Sequence, residues 1–477
     1  MKKLLSALLV LALVCGLFAG CAKTPSSTEP GNGPSENPSQ GADDPSGQAT
    51  EPSADPTDYT AELGKNNLLL QIPRYTADLT QFNWSVEDMG DGASLLAIKK
   101  VKSKDGYDQY LKDLAAAGFS LYAENTIEEN HFGTFVKDSI YVTTMYTPGS
   151  GNVRILAEPS SVTALPGMEK DNVYTDKGIE NVVAMVGVDY DGETNNGMCF
   201  VYRLCDGSFI VVDGGFNQAS CAKAIYDTMV KLAPDPENIT IAAWFISHAH
   251  GDHIGGYYAF ASKYGSQVKL EKVIYNFPIA KVFEVCDTSL SHLDKVKSCT
   301  AMFGGDKVVY NAHPGQVYYI RDAVIQMLYT WDIYRYNNTG INFFNDSSLV
   351  FTLDLGGTRV MQFGDCGPQA TAVLEEIYTA ATPKSDFIQS AHHGYVGASV
   401  NLYNMVGGKV VMWTSTDYKV DIFRTEDVNR VLWNSPYVYI ADQRVTVIPL
   451  HFDETKVEKW VIEDYIPRVD PNSEPIK

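Results

Sequence analysis

Apolar positions along the 477 residues fall into four differently patterned stretches. Lys2 and Lys3 lead into an apolar run from Leu4 to Phe18, then Ala19, Gly20 and Cys21. That run is too short for a comfortable membrane span and predicts an export signal over 1–21. From Ala22 to Asp58 the chain is almost entirely Pro, Ser, Gly, Thr, Asp, Glu and Ala, with no large apolar side chain to offset the entropy of ordering. It predicts a disordered tether, with a root-mean-square span of roughly 30 to 35 Å as a flexible coil. Over 59–165, Tyr107, Tyr110, Leu111, Leu114 and Ala115 share one face at helical spacing, and the alternating runs "SIYVTTMY" and "VRILAE" follow. This pattern predicts a small α+β domain. Over 166–477 strands and helices alternate, with polar residues gathered at strand ends.

In that last stretch "MCFVYRL", the turn formers Asp206 and Gly207, and "FIVVDGG" predict a hairpin. Ala219 to Lys231 predicts a helix closed before Pro234, and "ITIAAWFIS" a buried strand ending at Ser247. The next residues, "HAHGDH", place His248, His250, Asp252 and His253 directly after that strand, with a helix expected from Ile254. A loop held between two rigid elements is where sites are commonly built.

Composition narrows the class. Apolar content of 45% over this length allows more than one domain with a true core. The net charge of −21 lies mostly beyond the tether, so an acidic body disfavours a long polyanion such as nucleic acid unless a local basic groove exists. Eight cysteines are present. Those beyond Cys15 and Cys21 sit in a body too large to need disulfide staples. Cys199 and Cys205, read as lying on one strand, are too far apart to bridge each other.

The histidine cluster carries the chemistry. His248 and His250, two apart in an extended loop, project to one side and can hold one metal, while Asp252 and His253 can reach a second. A chemistry-free polar loop is the alternative, disfavoured because four donors are costly to bury unpaired. His131 and His313 read as loop and turn histidines, and His292 and His451 as structural.

His-x-His-x-Asp-His after a strand resembles the signature of the metallo-β-lactamase fold superfamily, and further pieces occur in that family's order over roughly 182–450. These are "VVDGG" before the cluster, then "FNDSSLVFTLDLGGTRVMQFGD" and "IQSAHHG" after it. The resemblance implies a four-layer αββα sandwich and two divalent metal ions, zinc, with Mn or Fe as alternatives. It implies the metal ligands His248, His250, Asp252, His253, Asp365 and His393, with Asp365 bridging. Asp213 would orient the metal loop, with a turn aspartate as the alternative. His392 would contact substrate or donate a proton, a role favoured over the reverse assignment of the pair, and Asp252 is counted with the catalytic groups as well as the ligands.

One family element departs. At the end of "AVIQMLYT", where a further histidine is usual, Tyr329, Thr330 and Trp331 stand instead, leaving His248, His250 and Asp365 for the first metal. That pattern resembles the hydrolase domain of the DNA-uptake protein ComEC and phosphorylcholine esterase. It implies hydrolysis of a phosphodiester, small or surface-bound, by a hydroxide between two metals. It argues against a true β-lactamase. Hydrolysis of a lactone, thioester or amide, or a non-catalytic surface-binding lipoprotein, are the competing expectations. Met1 to Cys21 resembles a bacterial lipoprotein signal, with Phe18 where leucine is usual. The resemblance implies lipidation of Cys21 and an extracytoplasmic, membrane-anchored protein, with a signal cleaved elsewhere as the alternative.

Overall fold

The computed structural model describes residues 55, 57–188, 197–286, 289–333, 344–395 and 397–462. The expected signal, Cys21 and nearly all of the tether lie outside the described residues. Three sheets organise the rest. The first is antiparallel, built from β1 (Trp84–Gly90), β2 (Ala93–Ile98), β3 (Ser120–Ile127), β4 (Asn130–Lys137), β5 (Ile140–Thr147) and β6 (Asn152–Pro159), in the order β1-β2-β6-β5-β4-β3. The helix Asp105–Ala116 buries Tyr107, Tyr110 and Leu114 against it, the face given by their spacing.

The second sheet contains β7 (Val182–Val186), β8 (Cys199–Arg203), β9 (Phe209–Asp213), β10 (Thr240–Phe245), β11 (Lys269–Leu270), β12 (Lys272–Tyr275) and β13 (Val308–Asn311). The third contains β14 (Val317–Ile320), β15 (Ala323–Tyr329), β16 (Val350–Leu355), β17 (Thr358–Gln362), β18 (Phe387–Gln389), β19 (Val410–Trp413) and β20 (Tyr437–Ile440). The chain then returns to the second sheet through β21 (Arg444–Pro449) and β22 (Glu458–Val461), giving the orders β13-β12-β10-β9-β8-β7-β21-β22, with β11 on β10, and β14-β15-β16-β17-β18-β19-β20.

These two sheets pack face to face. Phe200, Tyr202, Ile210, Val212 and Phe245 from one meet Ile325, Met327, Phe351 and Leu353 from the other. Helices Ala219–Leu232 and Gly251–Tyr264 cover the outer face of the second sheet, and Pro368–Ile377 and Val400–Val406 that of the third. The result is the αββα sandwich. β10 pairs in parallel with β9, β11 and β12, so both its faces are covered, which is why "ITIAAWFIS" is continuously apolar rather than alternating. β17, β18 and β19 are also mutually parallel. Parallel strands end at one edge of a sheet, and the carboxyl ends of β9, β10, β17 and β18 lead directly into Asp213, His248–His253, Asp365 and His392–His393.

Several expectations are corrected. The helix expected from Ile254 begins at Gly251, so Asp252 and His253 occupy its first turn rather than a loop. Cys205 lies beyond the end of β8, not on the strand with Cys199. No disulfide joins the six described cysteines. His131 is on β4, stacked on Tyr146 with ring centroids 6.3 Å apart, not in a loop. His313 is no ordinary turn residue: it is buried between Glu158 and Asp332. No helix among the described residues is long and apolar enough to cross a membrane.

Candidate metal centre

The first supporting contact is set by chain packing. Asp213 ends β9 with φ of 55°, and Gly214 and Gly215 then press against Gly255 and Gly256 of helix Gly251–Tyr264. A Cβ on Gly256 would lie 1.7 Å from Gly214 O, so only glycine permits the approach. That approach places Asp213 beside His253, with Oδ2 2.8 Å from His253 Nδ1. The same carboxylate accepts from Ser247 N at 2.7 Å and from Ser247 Oγ at 2.6 Å, while Trp244 Nε1 donates to Asp213 O at 3.1 Å.

Two donor groups converge on Asp365. In one, Asp252, His253, Asp365 and His393 place ligand atoms within 4.8 Å of one another; in the other, His248, His250 and Asp365 do so. His253 Nε2 is 3.1 Å from Asp365 Oδ2, and His393 Nε2 is 3.6 Å from Asp365 Oδ1 and 3.5 Å from Asp252 Oδ2. His248 Nε2 lies 4.0 Å from Asp365 Oδ2.

Tautomers follow from the outer partners. Thr414 O, 2.7 Å from His393 Nδ1, can only accept, so Nδ1 carries the proton and the Nε2 lone pair faces inward. Asp213 does the same for His253 when that ring is neutral. The two Nε2 atoms then face each other at 3.2 Å, lone pair toward lone pair, an arrangement that a cation between them relieves. His248 Nε2 and Asp365 Oδ1 are buried with no hydrogen-bond partner, which is costly unless something else binds them. The residues present therefore fit a pair of divalent cations with nitrogen and oxygen ligands.

Charge is unevenly distributed. Burial, then the neighbouring His253 and His250, push the His248 imidazole well below its ordinary value. Burial lowers His250 too. Burial also disfavours charge on His253, but Asp365, Asp213 and Asp252 outweigh it and raise that group well above its ordinary value. Burial opposes ionisation of Asp365, yet His253, His393 and His392 hold it well below the usual carboxylate range.

His392 and His393 both adopt left-handed backbone, with φ of 47° and 55°. With Asp213 these are three non-glycine residues in a region costing roughly 1 to 3 kcal/mol each, concentrated at one site. The kink separates the two rings. His393 is buried at the centre, while His392, 20% exposed at the side chain, keeps Nε2 3.8 Å from Asp365 Oδ2 and 2.9 Å from Asn345 Nδ2.

Where the family has a further histidine, β15 leads into Thr330–Asp332, and Asp332 turns away to Arg154 and His313. The Phe344 ring instead lies 5.1 Å from the His250 ring. Sequence reasoning missed Ser247 and the Thr414 carbonyl. Ser247 was detectable as the residue between strand and cluster. A backbone carbonyl has no sequence signal.

Residues 193–317 match the family model described as the metallo-β-lactamase superfamily. The chain has the fold generally associated with metal-dependent hydrolases. Among solved structures, the chain is similar to the metallo-β-lactamase fold protein YhfI from Bacillus subtilis (12% identity, 55% of this chain and 97% of that one, TM-score 0.34). It is also similar to CmlA, a diiron β-hydroxylase from Streptomyces venezuelae (12%, 57% and 54%, TM-score 0.35). A third likeness is to the short form of human tRNase Z (13%, 56% and 99%, TM-score 0.30). No curated protein matches the chain.

Proposed function

We propose that the protein is a metal-dependent hydrolase of a small or surface-bound phosphodiester, tethered outside the cell by a lipid on Cys21. The observation that carries the reading is the sharing of Asp365 by two converging donor groups, which supports a paired rather than a single cation site. His248, His250 and Asp365 would hold one ion, and Asp252, His253, Asp365 and His393 the other. Mixed imidazole and carboxylate donors suit zinc, with Mn or Fe as alternatives. Such ions, when bound, lower the pKa of a water toward neutrality and offset charge on the phosphoryl oxygens.

The chain's own groups do the rest. Asp213 and Thr414 O keep protons on the outer nitrogens of His253 and His393, so the inner nitrogens stay available as ligands. His392, whose Nε2 faces Asp365 from the partly open side, is placed to contact substrate and to hand a proton to the leaving oxygen. Phe344, with Phe283 packed 4.8 Å behind it, gives the His250 side an apolar wall. The finer likeness to the ComEC-type hydrolase domain and phosphorylcholine esterase points the same way.

Metal analysis and hydrolysis of bis(p-nitrophenyl) phosphate, wild type against Asp365→Asn, test the reading. The variant should retain less metal and lose more than the roughly 100-fold that removal of a supporting group costs. Equal activity would dismiss it. Turnover of a lactone or thioester panel with an inert phosphodiester would redirect the substrate.

A further inference from the structure

The two donor groups that share Asp365 are unequal in number, charge and support. Asp252, His253, Asp365 and His393 make a set of four; His248, His250 and Asp365 make a set of three, and His392 is in neither. Because Asp365 serves both, the larger set keeps a carboxylate of its own in Asp252, whereas the smaller keeps only two imidazoles, which are neutral when they ligate. A dication in the set of three therefore meets less compensating charge. It also meets the repulsion of an ion already held by the set of four.

The outer contacts differ in the same direction. In the set of four, the Asp213 carboxylate backs His253 Nδ1 at 2.8 Å and Thr414 O backs His393 Nδ1 at 2.7 Å. In the set of three, His248 Nδ1 has the neutral Ser247 hydroxyl at 3.0 Å, and that hydroxyl is already engaged with Asp213 Oδ2 at 2.6 Å. The His250 ring has no hydrogen-bond partner among the described residues. Its neighbours are other rings, His248 at 4.6 Å and Phe344 at 5.1 Å between centroids. A backing acceptor fixes a ligating imidazole and raises its basicity, and losing one such contact costs roughly 10- to 100-fold in metal affinity.

Nothing after β15 makes up the missing donor. Asp332 is committed to Arg154 and His313, and positions 334–343 contain no His, Cys, Asp or Glu. Phe344, 2% exposed with Phe283 packed 4.8 Å behind it, fills the flank of His250 with carbon. Four protein donors can enclose an ion, whereas three leave a position open to water or another small ligand.

We infer that the two sets differ in affinity: Asp252, His253, Asp365 and His393 retain a resident ion, while His248 and His250 take an exchangeable one, so that activity follows the free divalent metal around the protein. This rests on the paired-cation, hydrolytic reading of the site and adds its regulation. His250 and Asp252 are both partly exposed at the margin of the site, so each set can be weakened without opening the core.

Zinc-loaded, full-length protein equilibrated against chelator-buffered zinc at falling free concentrations tests this, with zinc per chain as the readout. The content should drop in two steps whose midpoints lie at least about 10-fold apart. His250→Ala should lose the weaker equivalent and keep the tighter; Asp252→Asn should weaken the tighter and bring the two steps together; Phe344→His, which offers a donor beside His250, should tighten the weaker. Hydrolysis of bis(p-nitrophenyl) phosphate by the wild type should rise with the second step. Two equivalents released together, loss of the tighter equivalent in His250→Ala, or full hydrolysis with one ion per chain would overturn the inference and leave the metal reading standing. Failure to take up a second equivalent overturns both. If the wild type hydrolyses no phosphodiester, the proposed substrate fails, and the zinc content alone still decides whether the sets are unequal.

Discussion

Two buried clusters of ionisable side chains, one in the metal centre and one where the first sheet meets the sandwich, look alike in composition and differ in how their atoms are spent. In the second cluster Arg154 and Glu158 on β6 meet His313 and Asp332, all at most 2% exposed. Asp332 pairs with Arg154 and with His313 Nδ1 at 2.8 Å, and His313 Nε2 faces Glu158 Oε2 at 2.8 Å. Two cations meet two anions within ion-pair distance, although Arg154 Nη1 and His313 Nε2 make no hydrogen bond. Around Asp365 three carboxylates, counting Asp213 and Asp252, surround imidazoles whose lone pairs face inward, and His248 Nε2 and Asp365 Oδ1 have no hydrogen-bond partner. A cluster that closes on itself holds structure; one that leaves acceptors converging on a common point is organised around something absent from the chain.

Breaking the closed cluster should have the largest effect on stability. Asp332→Ala leaves Arg154 and His313 buried without their shared anion, and chemical denaturation should show a loss of about 3 to 5 kcal/mol. Metal content per folded molecule should stay near that of the wild type. An equal loss of metal would merge the two clusters into one functional unit.

Asp213→Asn tests the other side. It removes the acceptor that keeps the His253 proton outward, and titration with a competing chelator should show metal affinity down by roughly 10- to 100-fold, with a small change in Tm. An affinity unchanged within error would make Asp213 a turn former only.

The closed cluster should also announce itself through pH. Burial opposes charge on His313, but Glu158 and Asp332 outweigh it and lift the imidazole from 6.5 to about 9. A group whose folded value is raised stabilises fully below its unfolded value, so this contribution is present below pH 6.5 and is lost as pH climbs through 9. On the acid side, burial opposes ionisation of Asp332, but Arg154 and His313 bring it to about 2, so its contribution fades only as pH falls from 3.8 through 2. Unfolding free energies of His313→Gln measured from pH 6 to 9.5 should lack the alkaline decline seen in the wild type. Smallest of all, Lys104→Ala should cost no more than about 0.5 kcal/mol, because Lys104 and Asp108 form an exposed pair one helical turn apart.

Much of the sandwich was legible because burial on both faces forces a continuous apolar run such as β10, and a tight hairpin needs Asp206 and Gly207 between β8 and β9. The local part of the candidate site was legible for a similar reason: His248, His250, Asp252 and His253 are adjacent, so spacing alone brings their donors close. Asp365 and His393 could be read only through their order relative to that cluster. His313 was misjudged because its partners lie far away in sequence, on β6 and after β15. Asn345 stood in a readable motif, but nothing local says that its amide meets His392.

By itself, the sequence determined the kinds of atoms available: imidazoles and carboxylates gathered at the ends of apolar strands, behind an acidic, proline- and serine-rich leader segment. Tertiary structure alone decided which of those atoms look inward. A lone pair's direction depends on what grips the opposite nitrogen, and here the grips are Asp213 on a neighbouring strand and the Thr414 carbonyl after β19. Those contacts join residues far apart in the chain, and packing, not spacing, brings them within hydrogen-bond reach.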